Sequence, residues 1–169
     1  MRGGASISDV TDAEYVAGLA RKRVVAGAVF RAADGRVLLV EPSYKVNWEI
    51  PGGSVEADES PWDGAARELQ EELGWEQPVG RLLVVDHVRT QQHRPEGIVF
   101  LFDGGVLSDA EVDALRFPDG EIVSAGFYDP TETRRLVKPL LADRIEVALT
   151  AASDGSTWFC VNGKPVRAG

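Results

Sequence analysis

Residues 53–75 read GSVEADESPWDGAARELQEELGW, and their local physics is unusually explicit. Ser60 is a good N-cap, Pro61 suits a first helical position, and Asp63 stands where a capping partner would. Trp62, Ala65, Leu69 and Leu73 recur at helical spacing and form one apolar stripe, expected to face the core. Gly74 supplies a left-handed stop. The spacing predicts a helix over roughly 61–73. Glu68, Glu71 and Glu72 stand at i, i+3 and i+4, so their carboxylates project from one face within about one turn. Carboxylates gathered so closely repel one another and call for a counter-charge. A hard divalent cation such as Mg²⁺ prefers oxygen ligands and keeps waters that a substrate can replace. The Gly52-Gly53 bend would let a backbone carbonyl approach such a cation, since no Cβ stands in the way. Arg67 could hold one carboxylate by a charge-assisted pair.

Outward from this stretch, the chain alternates apolar runs with turns. Val24 to Phe30 and Val37 to Val40 flank Ala33-Asp34-Gly35, a hairpin signal. Pro42 ends the second run, and a loop with Tyr44, Asn47 and Trp48 leads to Ile50-Pro51-Gly52-Gly53. Downstream, Leu82 to Val85 and Ile98 to Phe102 read as strands around a polar loop over Arg89 to Gly97. Ser108 to Leu115 has a capped, helix-like pattern, and Glu121 to Tyr128 reads as a strand. Thr131 to Ala152 reads as one helix or two, with Pro139 as the break. Thr157 to Val161, Asn162-Gly163 and Lys164 to Arg167 read as a terminal hairpin. There is no repeat, low-complexity tract or linker, so one α/β domain with a mixed sheet over 1–169 is expected. Residues 1–11 and the last few are expected to be frayed.

The stretch at 53–75 resembles, position for position, the motif of the Nudix (MutT-like) hydrolase family. That motif runs glycine, five residues, glutamate, seven residues, arginine-glutamate, an aliphatic, any residue, two glutamates, any residue, glycine and a bulky apolar. Only Trp75 departs, mildly, from the usual aliphatic. A chance match in a chain of this length has a probability on the order of 10⁻⁷. The resemblance implies an α/β/α sandwich with a mixed sheet, the motif forming its loop–helix–loop. It implies that Glu68, Glu71 and Glu72 bind Mg²⁺ or Mn²⁺ with the Gly52 carbonyl, and that Glu59 and Arg67 support them. The reaction implied is hydrolysis of a diphosphate bond in a nucleoside diphosphate linked to another group. A bound cation would neutralise diphosphate oxygens and lower the pKa of the attacking water, and a carboxylate base would take its proton. Glu68 is the first choice for that base, with Glu96 and Glu121 as alternatives. Arg89, Arg94 and Trp48 are candidate substrate contacts, Trp48 reading first as a packing residue.

The whole-chain figures agree with a small anionic substrate and not with a polymer. Eighteen Lys and Arg stand against 27 Asp and Glu in 169 residues, a net charge of −9. Nucleic acid and anionic membrane surfaces both need a cationic face. A lone Cys160 excludes an internal disulfide and reads as a small buried hydrophobe in a reducing, cytoplasmic setting. No apolar run fits a signal peptide or a membrane span. His87 and His93 read as isolated histidines, and Arg21-Lys22-Arg23 first as a solvated strand entrance, contact with a phosphate being the lesser alternative. The resemblance admits a homodimer, on which the residues are silent.

Marks of individual subfamilies are missing. Gln91 stands where ADP-ribose hydrolases tend to have proline and diadenosine polyphosphate enzymes tyrosine. The extra motifs of coenzyme A and NADH enzymes are absent. A nucleoside triphosphate, a nucleotide sugar or another diphosphate is left open. A catalytically silent nucleotide sensor on the same fold is the competing reading, though such relatives commonly lose motif carboxylates and this chain has kept all of them. Isopentenyl diphosphate isomerase shares the fold but needs a cysteine ahead of the helix.

Overall fold

The computed structural model describes residues 12–91 and 94–166. The expectations for residues 1–11, for His93 and for Arg167 onward lie outside the described residues. Eight strands form one mixed sheet: β1 (Arg23–Arg31), β2 (Val37–Pro42), β3 (Gly52–Ser54), β4 (Leu82–Val88), β5 (Gly97–Val106), β6 (Ile122–Tyr128), β7 (Trp158–Val161) and β8 (Lys164–Pro165). Their order is β6-β2-β1-β5-β4-β7-β8, with β3 paired to β1 beside β2. The pairs β1/β5 and β4/β7 are parallel, and the others are antiparallel. The helices are α1 (Asp12–Ala17), α2 (Pro61–Leu73), α3 (Asp109–Asp113), α4 (Pro130–Leu136) and α5 (Pro139–Asp154).

Two cores lie on opposite faces of the sheet, as the expected sandwich requires. Ala26, Ala28, Phe30 and Leu38 pack with Ala65, Leu69 and Leu73 of α2. Val29, Leu39, Val84 and Leu101 pack with Leu141, Ile145, Ala148 and Ala151 of α5. Alternation along each strand sends its side chains to both layers, so helices must cover both faces. Cys160 is fully buried in the α5 layer.

The helix predicted over 61–73 spans those residues. Ser60 Oγ accepts from the Asp63 N–H at 3.1 Å and donates to the Asp63 carboxylate at 2.6 Å. Gly74 closes the helix at φ 63°. Pro139 divides the 131–152 segment into α4 and α5 because its missing N–H and its ring favour a helix start. The β7–β8 turn has positive φ at both Asn162 and Gly163, as a two-residue hairpin demands. Three points differ from the sequence reading. Trp62 is 42% exposed, packed edge-on against Phe102 at the rim and not buried in the core. It lies at the first turn, where the helix has not yet come fully over the sheet. The short helix α1 and the strand β3 were not anticipated. The latter forms because Gly52, Gly53 and Ser54 meet Gly27, Ala26 and Val25 in register.

Candidate active site

The approach of β3 to β1 is the first constraint on the site. A Cβ on Gly52 would lie 2.4 Å from the Ala26 carbonyl oxygen and the Gly27 Cα, and Gly52 has φ +136°. A Cβ on Gly53 would fall 2.4 Å from the carboxylate carbon of Glu68. Glycine at 52 therefore lets two backbones touch, and glycine at 53 leaves the room that the Glu68 carboxylate fills.

Arg67 organises the carboxylates of α2. Its guanidinium donates to both oxygens of Glu59, at 3.0 and 3.2 Å, and to the Ser54 carbonyl at 3.0 Å. Its remaining terminal nitrogen donates to Glu68 at 3.0 Å and Glu71 at 2.9 Å. Glu59 also accepts from the Glu56 N–H at 2.9 Å, which closes the loop ahead of the helix. Three carboxylates around it hold Arg67 firmly protonated, Glu59 most of all.

Glu72 follows Leu69 by three residues, so it sits at the edge of the buried stripe and is only 7% exposed. It accepts from the Gly52 N–H at 2.8 Å. Burial pushes its carboxyl up to about 8, with the negative charges of Glu68, Asp119 and Glu121 adding to the effect. Glu68 is also raised, chiefly by burial, against the lowering influence of Arg67. The three glutamates thus divide: Glu68 and Glu71 share Arg67, and Glu72 turns to the Gly52 amide. Among the described residues, no three His, Cys, Asp or Glu side chains converge into a ready-made metal cage.

The donor set nevertheless suits a hard divalent cation. It consists of oxygens only, and Arg67 is the single guanidinium among Glu59, Glu68 and Glu71. Glu72 is buried amid further negative charge without an ion-pair partner among the described residues. Such an excess is what a divalent ion relieves.

A cleft of about 280 Å³ opens from Gly52, Gly53, Ser54 and Glu72. Val25, Val88, Val99 and Tyr44 also line it. So do Arg23, Arg94, Lys138 and Arg144. From sequence, Arg94 is a candidate substrate contact in a polar loop and Arg23 chiefly part of a solvated strand entrance; Lys138 and Arg144 were missed. A cation next to Ile145 and three residues after Leu141, at the border of the buried stripe of α5, was the available signal for Arg144.

The outlying candidates fall elsewhere. Glu96 is paired with Lys22 at 2.6 Å and His87 at 3.2 Å, which holds its carboxyl below the ordinary range. Trp48 packs edge-on against Tyr128, ring centroids 5.0 Å apart. The Arg89 N–H donates to Asn162 Oδ1 at 2.9 Å, tying that backbone to the β7–β8 turn. None of these three lines the cleft. Glu121 does not line it either, but it lies within electrostatic range of Glu68 and Glu72.

A family model described as NUDIX domain matches residues 21–149. Over 75 residues the chain is 41% identical to diphosphoinositol polyphosphate phosphohydrolase 2 of Rattus norvegicus, covering 43% of this chain and 42% of that protein. Over 50 residues it is 50% identical to a MutT-like protein of Streptomyces ambofaciens, covering 30% of this chain and 32% of that one. The chain thus spans less than half the length of either relative. The crystal structure of a MutT protein from Methanosarcina mazei Go1 superposes with a TM-score of 0.63 at 22% identity, covering 81% of this chain and 99% of that one.

Proposed function

This chain belongs to the Nudix family, and from that premise we propose that it is a divalent-metal-dependent hydrolase of a diphosphate bond in a nucleoside diphosphate linked to a second group. The observation that carries this reading is the Arg67 network beside the buried Glu72, which lines a cleft together with Gly52, Gly53 and Ser54. Glu68, Glu71, Glu72 and the Gly52 carbonyl would hold Mg²⁺ or Mn²⁺. The bound ion supplies charge neutralisation for the diphosphate and a more acidic water.

The chain's own residues have separable tasks. Arg67 and Glu59 fix the positions of Glu68 and Glu71, so the carboxylates do not have to be ordered when substrate arrives. The Gly52 N–H orients Glu72. Glu68 is the proposed proton acceptor, since burial raises its affinity for a proton in the direction a base requires. Glu121, within electrostatic range of the same carboxylates, is the better-supported alternative. Glu96 is occupied by Lys22 and His87. The unit is read as one Nudix domain over 1–169, acting on a small molecule, in the cytoplasm; the lone buried cysteine supports a reducing setting.

A panel of nucleoside triphosphates, ADP-ribose, nucleotide sugars and diphosphoinositol polyphosphates with Mg²⁺ or Mn²⁺ tests the proposal, with products identified. We expect cleavage of at least one member, and its loss in Glu71→Gln and Glu72→Gln. Full turnover in those variants, or tight binding across the panel with no cleavage, would replace the hydrolase with another function, in the latter case a sensor.

A further inference from the structure

The charge arrangement of the cleft is at odds with the charge of the chain. The protein carries a net charge of −9, yet Arg23, Arg94, Lys138 and Arg144 all line this cleft. Among the described residues, Arg23, Arg94 and Lys138 form no ion pair, although 27 acidic residues are present in the sequence. The Arg23 Nε is buried with no hydrogen-bond partner. Arg144 is the best anchored. Its Nε donates to Asp86, a fully buried carboxylate that also accepts from the Gly163 N–H at 3.0 Å. That contact fixes one edge of the guanidinium, and its two terminal nitrogens have no hydrogen-bond partner among the described residues. Burial and the nearby positive charges of Arg94 and Arg144 lower the Arg23 pKa, and planar forks of this kind match phosphate oxygens.

The strand register sets Arg23 and the anchor of Arg144 relative to the Gly52-Gly53 bend. Gly52 faces Gly27 on β1, whereas Arg23 lies four residues earlier on the same strand, about 13 Å away at an ordinary strand rise. Asp86, which anchors Arg144, aligns through Val99 with Val25. Arg23 is thus displaced along β1 from the Gly52-Gly53 bend, whereas Val25, level with the Asp86 that anchors Arg144, pairs with Ser54 beside that bend.

We propose that Arg23, Arg94 and Arg144 form an anion subsite for a phosphoryl group of the substrate other than the diphosphate that is cut. The inference rests on the hydrolase reading for the orientation of substrate, but not for the existence of the subsite. The substrate would be a diphosphate with further phosphorylation, either a nucleoside triphosphate or a phosphorylated polyol.

Two measurements test this. The first is calorimetry of inorganic tripolyphosphate in EDTA, which removes the metal and needs no turnover. Arg23→Gln and Arg94→Gln suit it because neither breaks an ion pair among the described residues; thermal melts verify folding. Arg144 is left intact, since removing it would strand Asp86. We expect binding to the parent protein, weakened about tenfold or more by each variant, as loss of a charge-assisted hydrogen bond implies. No binding, or binding indifferent to both variants, overturns the subsite. The second compares KM for ADP-ribose, a nucleoside triphosphate and a diphosphoinositol polyphosphate. The variants should raise KM for one of the latter two about tenfold more than for ADP-ribose, and which one identifies the source of the extra phosphate. An equal rise for all three would mean that the arginines grip the cleaved diphosphate, and the proposal fails. If nothing is hydrolysed while tripolyphosphate binds and the variants weaken it, the hydrolase reading falls and the anion site stands.

Discussion

Arg67 serves Glu59, Glu68, Glu71 and the Ser54 carbonyl with one planar guanidinium. A lysine keeps the charge but not the fork, so it cannot bracket these acceptors together. Arg67→Lys should therefore lower kcat/KM roughly 10–100-fold, the scale expected for residues that orient metal ligands, while the melting curve moves little. Steady-state kinetics on a substrate from the panel measures this, and an unchanged rate would remove Arg67 from any positioning role. Glu72 gives a second residue-level prediction. Its folded carboxyl is pushed up to about 8 from an ordinary 4.5, so between these values the native state keeps a proton that the unfolded chain releases. Stability from this group is therefore complete below pH 4.5 and declines as pH rises to about 8. Melts in EDTA at pH 5 and 8 should show that decline, and Glu72→Gln should flatten it. The glutamate triad and Arg67 were legible in the sequence because residues three and four apart on a helix must be neighbours. The split of the triad was not, since it depends on the Gly52 amide reaching Glu72 from twenty residues away in sequence.

At the scale of elements, the short strand β3 and helix α2 meet through two glycines with different duties. Gly52→Ala would place a Cβ against the backbone of Ala26 and Gly27 and force a side chain into φ +136°. Backbone strain alone costs about 1–3 kcal/mol, and the clash adds to it, so thermal melts should show clear destabilisation. Gly53→Ala meets only the far end of the Glu68 side chain, which can swing away. That variant should melt near the parent protein yet lose activity on the order of 100-fold, as a misplaced catalytic group does. Equal effects of the two on stability would contradict this division. Helix α2 could be read from sequence in full, because its cap, stripe and stop are all local. The strand β3 could not. Gly-Gly-Ser has no strand propensity, and only its fit against Gly27 makes it one.

For the molecule as a whole, the Arg144–Asp86 pair joins α5 to β4, with Gly163 of the terminal hairpin as the third member. Arg144→Met should cost about 3–5 kcal/mol by leaving a buried carboxylate uncompensated. Adding Asp86→Asn should recover part of the loss in a denaturant melt; a double variant no better than the single one would argue against the pair. What the sequence determined by itself was everything carried by near neighbours: the capped helix with its acidic face, the break at Pro139, the hairpin turns and the family. What only the tertiary structure decided was which distant segments share a surface. It brought Arg23, Arg94 and Arg144 to one cleft, set Glu96 with Lys22 and His87, and left Trp62 at the rim. The reason is physical: helical and turn signals are fixed by spacing along the chain, whereas strand order and the opposing charges in a cleft depend on which layers bury each other.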